Sequence, residues 1–138
     1  MTDAEDARQA VKCGADFLGM IMWPKAKRYV SPMVAREIVA VASKKDDQGF
    51  PKVVGVFVDE NAEQIENIRH QTKIDMVQLH GDASKHALPF LDPNLPKIYV
   101  LHANSDGNQN SLIPRINQII QVRLKDVGNH CQLQWTTF

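Results

Sequence analysis

Four short segments of the chain are apolar at nearly every position, and each is predicted to be a buried strand. Strands that read as continuous apolar runs are typical of parallel sheets, in which both faces are covered. The four segments are residues 17–22, 53–58, 75–79 and 97–101.

Between these segments, apolar residues recur at helical spacing, and capping residues mark the predicted helix starts. A glycine after the first helix stands where a left-handed residue is favoured. The first predicted helix is capped by Thr2 or Asp3, runs through Cys13 and ends at Gly14. The second begins at Ser31-Pro32, the third is capped by Asn61, and a short fourth helix covers residues 84–90.

Alternation of strands and helices with short connections predicts right-handed βα units and a parallel sheet. No glycine-rich dinucleotide motif and no Walker-type loop follows any strand, which disfavours a nucleotide-binding fold. A (βα) barrel carries its functional loops after the strands, although a flavodoxin-like open sheet does so too. The polar residues that follow the predicted strands are Lys25, Lys27, Arg28, Asp59, His80 and His102.

The composition limits the classes of protein that need to be considered. The 138 residues predict a single globular domain with 43% hydrophobic residues, and the 16 basic and 16 acidic residues cancel. This balance argues against a nucleic-acid partner or an acidic membrane surface. The two cysteines, Cys13 and Cys131, and the five histidines show no metal-ligand spacing.

The N-terminal residues are acidic and no apolar run approaches the length of a membrane span, so neither a targeting peptide nor a membrane helix is predicted. We therefore expect either an untargeted protein or one whose targeting segment lies outside this chain.

Four segments follow one another along the chain: GADFLG at 14–19, PKAKRYVS at 24–31, VGVFV at 54–58 and VQLHGD at 77–82. Taken together and in this order, they resemble the phosphoribosylanthranilate isomerase family. The Trp23-Pro24 pair and the segment YVLHAN at 99–104 are most similar to the plant, plastid-type members. The resemblance covers roughly residues 2–115.

The resemblance implies a (βα)8 barrel that catalyses an Amadori rearrangement of N-(5-phosphoribosyl)anthranilate in tryptophan biosynthesis, without cofactor or metal. The family uses a cysteine on its first strand as general base and an aspartate on its sixth strand as general acid. It binds phosphate after its seventh and eighth strands. A chain with this resemblance is expected in the plastid stroma if the full-length protein is of the plant type, and otherwise in the cytoplasm.

Mapped onto this chain, the resemblance implies a partial barrel of about four parallel strands, family strands 2–5, in residues 1–115. Residues 116–138 are expected to be a divergent tail. The family's cysteine would lie upstream of Met1, and Cys13 is expected to be a packing residue at a helix end. Asp126 is the one candidate for the acid, with a solvated loop carboxylate as the alternative.

The resemblance also suggests which residues contact the substrate. Arg28 stands where the family's arginine binds the anthranilate carboxylate, a role that suits its planar guanidinium. His80 and Gln78 are further candidates, with a structural histidine and a satisfied buried amide as the alternatives. Lys25 and Lys27 are expected to steer anions or to aid solubility, Tyr29 to pack over the loop, and Asp59 and His102 to be exposed loop residues.

Three hypotheses follow. The first is a phosphoribosylanthranilate isomerase that binds a phosphorylated small molecule, and the second is a non-catalytic isoform that lacks the base, the acid and the phosphate site. The third is a flavodoxin-like binding module. Uncovered barrel edges would favour self-association of the chain.

Overall fold

The fold is described for residues 1–43 and 51–100 with their side chains, and for the backbone of two strands at 119–127 and 130–136, in a computed structural model. Helices and strands alternate through the first hundred residues. In chain order the elements are α1 (Ala4–Lys12), β1 (Phe17–Ile21), α2 (Pro32–Ala42), β2 (Lys52–Phe57), α3 (Ala62–Thr72), β3 (Met76–Leu79), α4 (Asp82–His86), a 3-10 turn (Leu88–Phe90), β4 (Lys97–Tyr99), β5 (Ile119–Val127) and β6 (His130–Thr136).

The four predicted strands form a parallel sheet in which chain order and spatial order agree, β1-β2-β3-β4. Ile21 pairs with Val56, Val56 with Gln78, and Gln78 with Ile98, so one row of residues crosses all four strands. Because the strand order never reverses, the flavodoxin-like alternative is wrong: a doubly wound sheet has a reversal at its ligand site.

The helices cover one face of the sheet, where the main core lies. Strand residues such as Leu18, Phe57 and Val77 pack there with helix residues such as Ile38 and Ile65, all of them fully buried. The residues that alternate with them point to the opposite face. There Val54, Met76 and Ile98 form a small cluster of their own, with Phe17 packed against it. This opposite face is called the inner face below.

Each of the first three helices begins at a residue that satisfies free backbone N–H groups, as the sequence predicts. The Asp3 carboxylate accepts from the N–H groups of Glu5 and Asp6, and the Ser31 hydroxyl from that of Val34. At α3, the Asn61 and Gln64 side chains each accept from the backbone N–H of the other residue. Gly14 ends the first helix with φ of 76°, as predicted.

Two details of the predicted helices are wrong. Cys13 is the C-terminal capping residue of α1 but is exposed, so it is not a packing residue. The segment predicted as one helix at 84–90 begins earlier, as α4 at Asp82, and ends in a separate 3-10 turn. Ser84 does not cap this helix, because its hydroxyl donates instead to backbone carbonyls at the end of β2 and at Gly81.

Two strands that the sequence analysis did not assign extend the sheet. β5 lies parallel to β4 through the pair Ile98 and Ile120, and β6 returns antiparallel to β5. The strict alternation of apolar and polar residues from 120 to 125 is the pattern of a half-buried strand and could have predicted β5. The division between a barrel-like part ending at 115 and a divergent tail stays a prediction.

The amino-terminal edge of the sheet is held by side chains. The Lys97 ammonium is buried and donates to the carbonyl oxygens of Asp92 at 2.5 Å and Leu95 at 2.7 Å. Burial lowers the pKa of this lysine. Asp75 accepts from the N–H of Val53 at 2.8 Å. Within the described residues, no helix is long and apolar enough to cross a membrane.

Candidate functional site

The carboxyl ends of the strands bring most of the predicted site residues to one edge of the sheet. In a parallel sheet the segments that follow the strands meet at the same edge. Here the loop that carries Arg28 follows β1, Asp59 follows β2, and His80 follows β3. His102 lies outside the described residues.

The loop after β1, residues 22–30, is built from two successive turns. The N–H of Ala26 donates to the carbonyl of Trp23 at 3.0 Å, and the N–H of Tyr29 donates to that of Ala26 at 3.1 Å. The loop returns to its strand because the N–H of buried Val30 donates to the carbonyl of Ile21 at 2.8 Å. Both ends of the loop are thus fixed, since the N–H of Met22 also donates to the carbonyl of Val56 at 2.9 Å.

Asp59 binds this loop from the neighbouring strand end. One carboxylate oxygen accepts from the indole N–H of Trp23 at 2.8 Å and from the ammonium of Lys25 at 3.2 Å. The Lys25 ammonium also lies 5.8 Å from the centre of the Trp23 ring, within cation–π range. The hydrogen bond from Trp23, followed by that from Lys25, lowers the pKa of the Asp59 carboxyl.

The backbone that carries Asp59 is fixed in turn by Glu60, whose side chain is buried. A single oxygen of Glu60 accepts from the N–H of Val58 at 2.8 Å and from that of Asp59 at 3.2 Å. These bonds satisfy two N–H groups that β2 leaves free where it ends. The carboxylate of Asp59 therefore projects from an ordered strand end.

Arg28 is exposed in the second turn of the loop, directly before Tyr29, which forms a parallel bridge with Ile21 of β1. Within residues 1–43 and 51–100, no hydrogen bond or ion pair engages its guanidinium, whereas Lys25 is paired with Asp59. The prediction that Lys25 only steers anions or aids solubility thus misses this pairing. An arginine with its fork of donors free is suited to binding a carboxylate or phosphate.

His80 is also exposed at this edge, and its backbone N–H donates to the carbonyl of Phe57 at 2.9 Å. The next residue, Gly81, lies so close to β2 that an added Cβ would stand 2.4 Å from the carbonyl oxygen of Val58. The close approach requires glycine and holds His80 beside the end of β2.

Gln78 lies on the inner face of the sheet, as predicted, and is partly exposed. The register places it between Val56 on β2 and Ile98 on β4. In a closed barrel this face points to the interior.

Asp126 lies in β5, five positions beyond Gln121, which is paired with Tyr99 at the end of β4. At about 3.3 Å per residue, its backbone is roughly 17 Å past the end of β4, and only β6 pairs with it there. Its role as an acid stays a prediction.

A pocket of about 380 Å³ separates the loop after β1 from α3. Trp23, Lys25 and Tyr29 line it from the loop side, and Gln64 and Asn67 from α3. Tyr29 is 36% exposed, so it packs over the loop only in part. Among the described residues, no cluster of three or more histidine, cysteine or acidic side chains could bind a metal ion.

Comparison with known proteins decides the family. A family model described as N-(5'phosphoribosyl)anthranilate (PRA) isomerase matches residues 1–135. The chain belongs to the phosphoribosylanthranilate isomerase family.

Curated relatives agree with this assignment. The chloroplastic N-(5'-phosphoribosyl)anthranilate isomerase 3 of Arabidopsis thaliana is 42% identical over 114 residues, which are 83% of this chain and 45% of that protein. An N-(5'-phosphoribosyl)anthranilate isomerase of Chlamydia trachomatis is 30% identical over 140 aligned positions, covering all of this chain and 65% of that protein. The chain thus spans less than half the length of the Arabidopsis relative.

Solved phosphoribosylanthranilate isomerases share the fold. The enzyme in complex with reduced 1-(o-carboxyphenylamino)-1-deoxyribulose 5-phosphate has a TM-score of 0.65 and 31% identity, over 77% of this chain and 52% of that protein. The enzyme of Thermotoga maritima has a TM-score of 0.64, also at 31% identity, over 78% of this chain and 50% of that protein. The partial barrel expected from the sequence is confirmed.

Asp59 is an exposed loop residue, as expected, but sequence reasoning missed the contacts that its side chain makes. Its side chain is 50% exposed, yet it binds Trp23 and Lys25. The sequence indicates only that both residues follow neighbouring strands, and the contact itself depends on the register of β1 and β2.

Proposed function

We propose that this chain takes part in the Amadori rearrangement of N-(5-phosphoribosyl)anthranilate, with Arg28 binding the anthranilate carboxylate. The observation that carries the proposal is the unpaired, exposed guanidinium of Arg28 above the carboxyl edge of the sheet. A planar guanidinium can donate two parallel hydrogen bonds to a carboxylate. The ligand of the solved relative is itself a carboxyphenylamino compound.

His80 and Gln78 are proposed to contact the same substrate. His80 is exposed beside the end of β2, and Gln78 is the polar member of the row of paired residues that crosses the inner face. Both carry hydrogen-bonding groups suited to ribose hydroxyls. A phosphorylated substrate fits the family, and the proposal invokes no cofactor or metal.

The test is turnover and binding by the purified chain. The loss of phosphoribosylanthranilate fluorescence reports turnover, and the same assay on Arg28→Ala and Cys13→Ser tests the site against a matched exposed residue. We expect Arg28→Ala to weaken binding of the reduced product analogue at least tenfold and Cys13→Ser to leave it unchanged. Analogue binding without turnover would favour the non-catalytic alternative, and the absence of both would contradict the proposal.

A second proposal concerns self-association. β1 lies at the edge of the described sheet, and Phe17 and Ile21 on its inner face are only half-buried. An exposed strand edge beside apolar side chains favours pairing with another chain. Light scattering should find a dimer or larger species, and a stable species of 15.5 kDa would contradict this.

We also propose a plastid location for the full-length protein, because the Arabidopsis relatives are chloroplastic; cytoplasm is the alternative. A fluorescent fusion of the full-length gene product in plant cells would distinguish the two.

A further inference from the structure

The loop that presents Arg28 faces a pocket on one side. The pocket of about 380 Å³ lies between this loop and α3, and Trp23 and Tyr29 line it. The backbone of the loop is bonded at both ends, because the N–H of Met22 donates to the carbonyl of Val56 and the N–H of Val30 donates to that of Ile21. Between these ends, Trp23 and Lys25 contact the end of β2 through Asp59.

The contacts form a connected series from β2 to the loop. Glu60 fixes the backbone of Asp59, and the Asp59 carboxylate accepts from Trp23 and Lys25 on the loop. Trp23 is where the first turn of the loop begins, since its carbonyl accepts from Ala26. The position of the first turn therefore depends on Asp59, and Arg28 lies in the second turn.

The series also determines which cation of the loop is paired. Asp59 pairs with Lys25, whereas the described residues offer Arg28 and Lys27 no such partner. The negative charge of Asp59 is thus offset by the ammonium of Lys25, and its oxygen already accepts from the indole N–H of Trp23.

We propose that Asp59 is a positioning residue for Arg28: by holding Trp23 and Lys25 it fixes the loop in the arrangement that binds the substrate carboxylate. This inference rests on the proposed function for the identity of the ligand. It adds that the affinity of Arg28 for a carboxylate depends on a residue that does not touch that carboxylate.

The direction in which Asp59→Ala changes the affinity for an anion distinguishes positioning from simple electrostatics. If Asp59 acted only as a nearby negative charge, Asp59→Ala would raise the affinity for an anion. Positioning predicts the reverse, a loss of roughly threefold to tenfold, the equivalent of one hydrogen bond. Trp23→Phe removes the indole N–H but keeps an aromatic ring, and it should cause a loss of similar size.

The experiment measures the dissociation constant of the reduced product analogue for the full chain and for Asp59→Ala, Arg28→Ala and the double variant. The loss caused by Asp59→Ala should disappear in the Arg28→Ala background, because there is no guanidinium left to position. Asp59→Asn, whose amide oxygen still accepts from Trp23, should recover part of the affinity. Glu5→Gln, which removes an exposed carboxylate paired with Arg8 on α1, is the matched control and should change nothing.

A measurement made without ligand distinguishes failure of the proposed function from failure of the positioning role of Asp59. Amide hydrogen exchange at Ala26 and Tyr29, whose N–H groups close the two turns, should accelerate in Asp59→Ala and not in Glu5→Gln. If the exchange is unchanged, or if Asp59→Ala tightens analogue binding, the inference is overturned. If the unsubstituted chain binds no analogue while exchange accelerates as expected, the proposed function fails and the loop-fixing role of Asp59 stands.

Discussion

The hydroxyl oxygen of Ser84 lies 3.0 Å from the carbonyl oxygen of Phe57, so the start of α4 is bonded to the end of β2. The backbone N–H of Ser84 adds a second bond, to the carbonyl of Val58 at 3.1 Å. Ser84 is fully buried, and residues 80–83, which include His80 and Gly81, connect it to the end of β3. This contact therefore helps to place His80 at the edge of the sheet.

Ser84→Ala should lower the free energy of unfolding by about 1 kcal/mol, the net value of one intramolecular hydrogen bond. The loss stays small because the Phe57 carbonyl still accepts from the N–H of His80. Urea unfolding followed by circular dichroism measures it. Ser43→Ala removes an exposed hydroxyl that donates to Ala40 and should cost less. An equal loss of unfolding free energy in the two variants would show that burial does not increase the value of the Ser84 hydrogen bond.

Gly81→Ala should be more disruptive, with a loss of about 1–3 kcal/mol, because its Cβ would stand 2.4 Å from a backbone oxygen that cannot rotate away. Gly19 is the matched control, since a Cβ added there meets nothing within 4 Å. The urea midpoint of Gly81→Ala should be clearly lower than that of Gly19→Ala. A midpoint for Gly81→Ala as high as that for Gly19→Ala would show that the segment after β3 is not held against Val58.

Asn61→Ala should lower the free energy of unfolding by about 1 kcal/mol, because the N–H of Gln64 loses its acceptor at the start of α3. Asn61→Gly should cost only a few tenths of that, since glycine leaves these N–H groups open to water. Thermal unfolding of the two variants tests the order. If Asn61→Ala unfolds at the same temperature as the unsubstituted chain, the capping bond contributes nothing.

The Trp23 contact should respond to acid. The pKa of Asp59 is lowered in the folded chain, so the stability that its carboxylate contributes is complete above its unfolded pKa of about 4. That contribution is lost as the pH falls through the lower folded value. Trp23 fluorescence in a Trp135→Phe background should therefore change only below about pH 4. Asp59→Asn should lack this step, and a step at higher pH would contradict the assignment.

The strands and the helix starts could be predicted because their signals are local. Asp3, Ser31 and Asn61 each bond to N–H groups within three positions, so sequence spacing alone identifies them. Sequence spacing does not reveal the Trp23–Asp59 bond, which joins residues 36 positions apart and depends on the register of β1 and β2. The bond from the Ser84 hydroxyl to Phe57 is hidden for the same reason, since it joins residues 27 positions apart.

The two edges of the sheet have different chemistry, and this has a consequence for variation in the gene. Lys97 and Asp75 hold the amino-terminal edge, whereas Arg28 and His80 stand exposed at the carboxyl edge. Substitutions in the first pair should therefore lower the amount of folded polypeptide in the cell. Substitutions in the second pair should leave that amount unchanged and alter only what the carboxyl edge can bind.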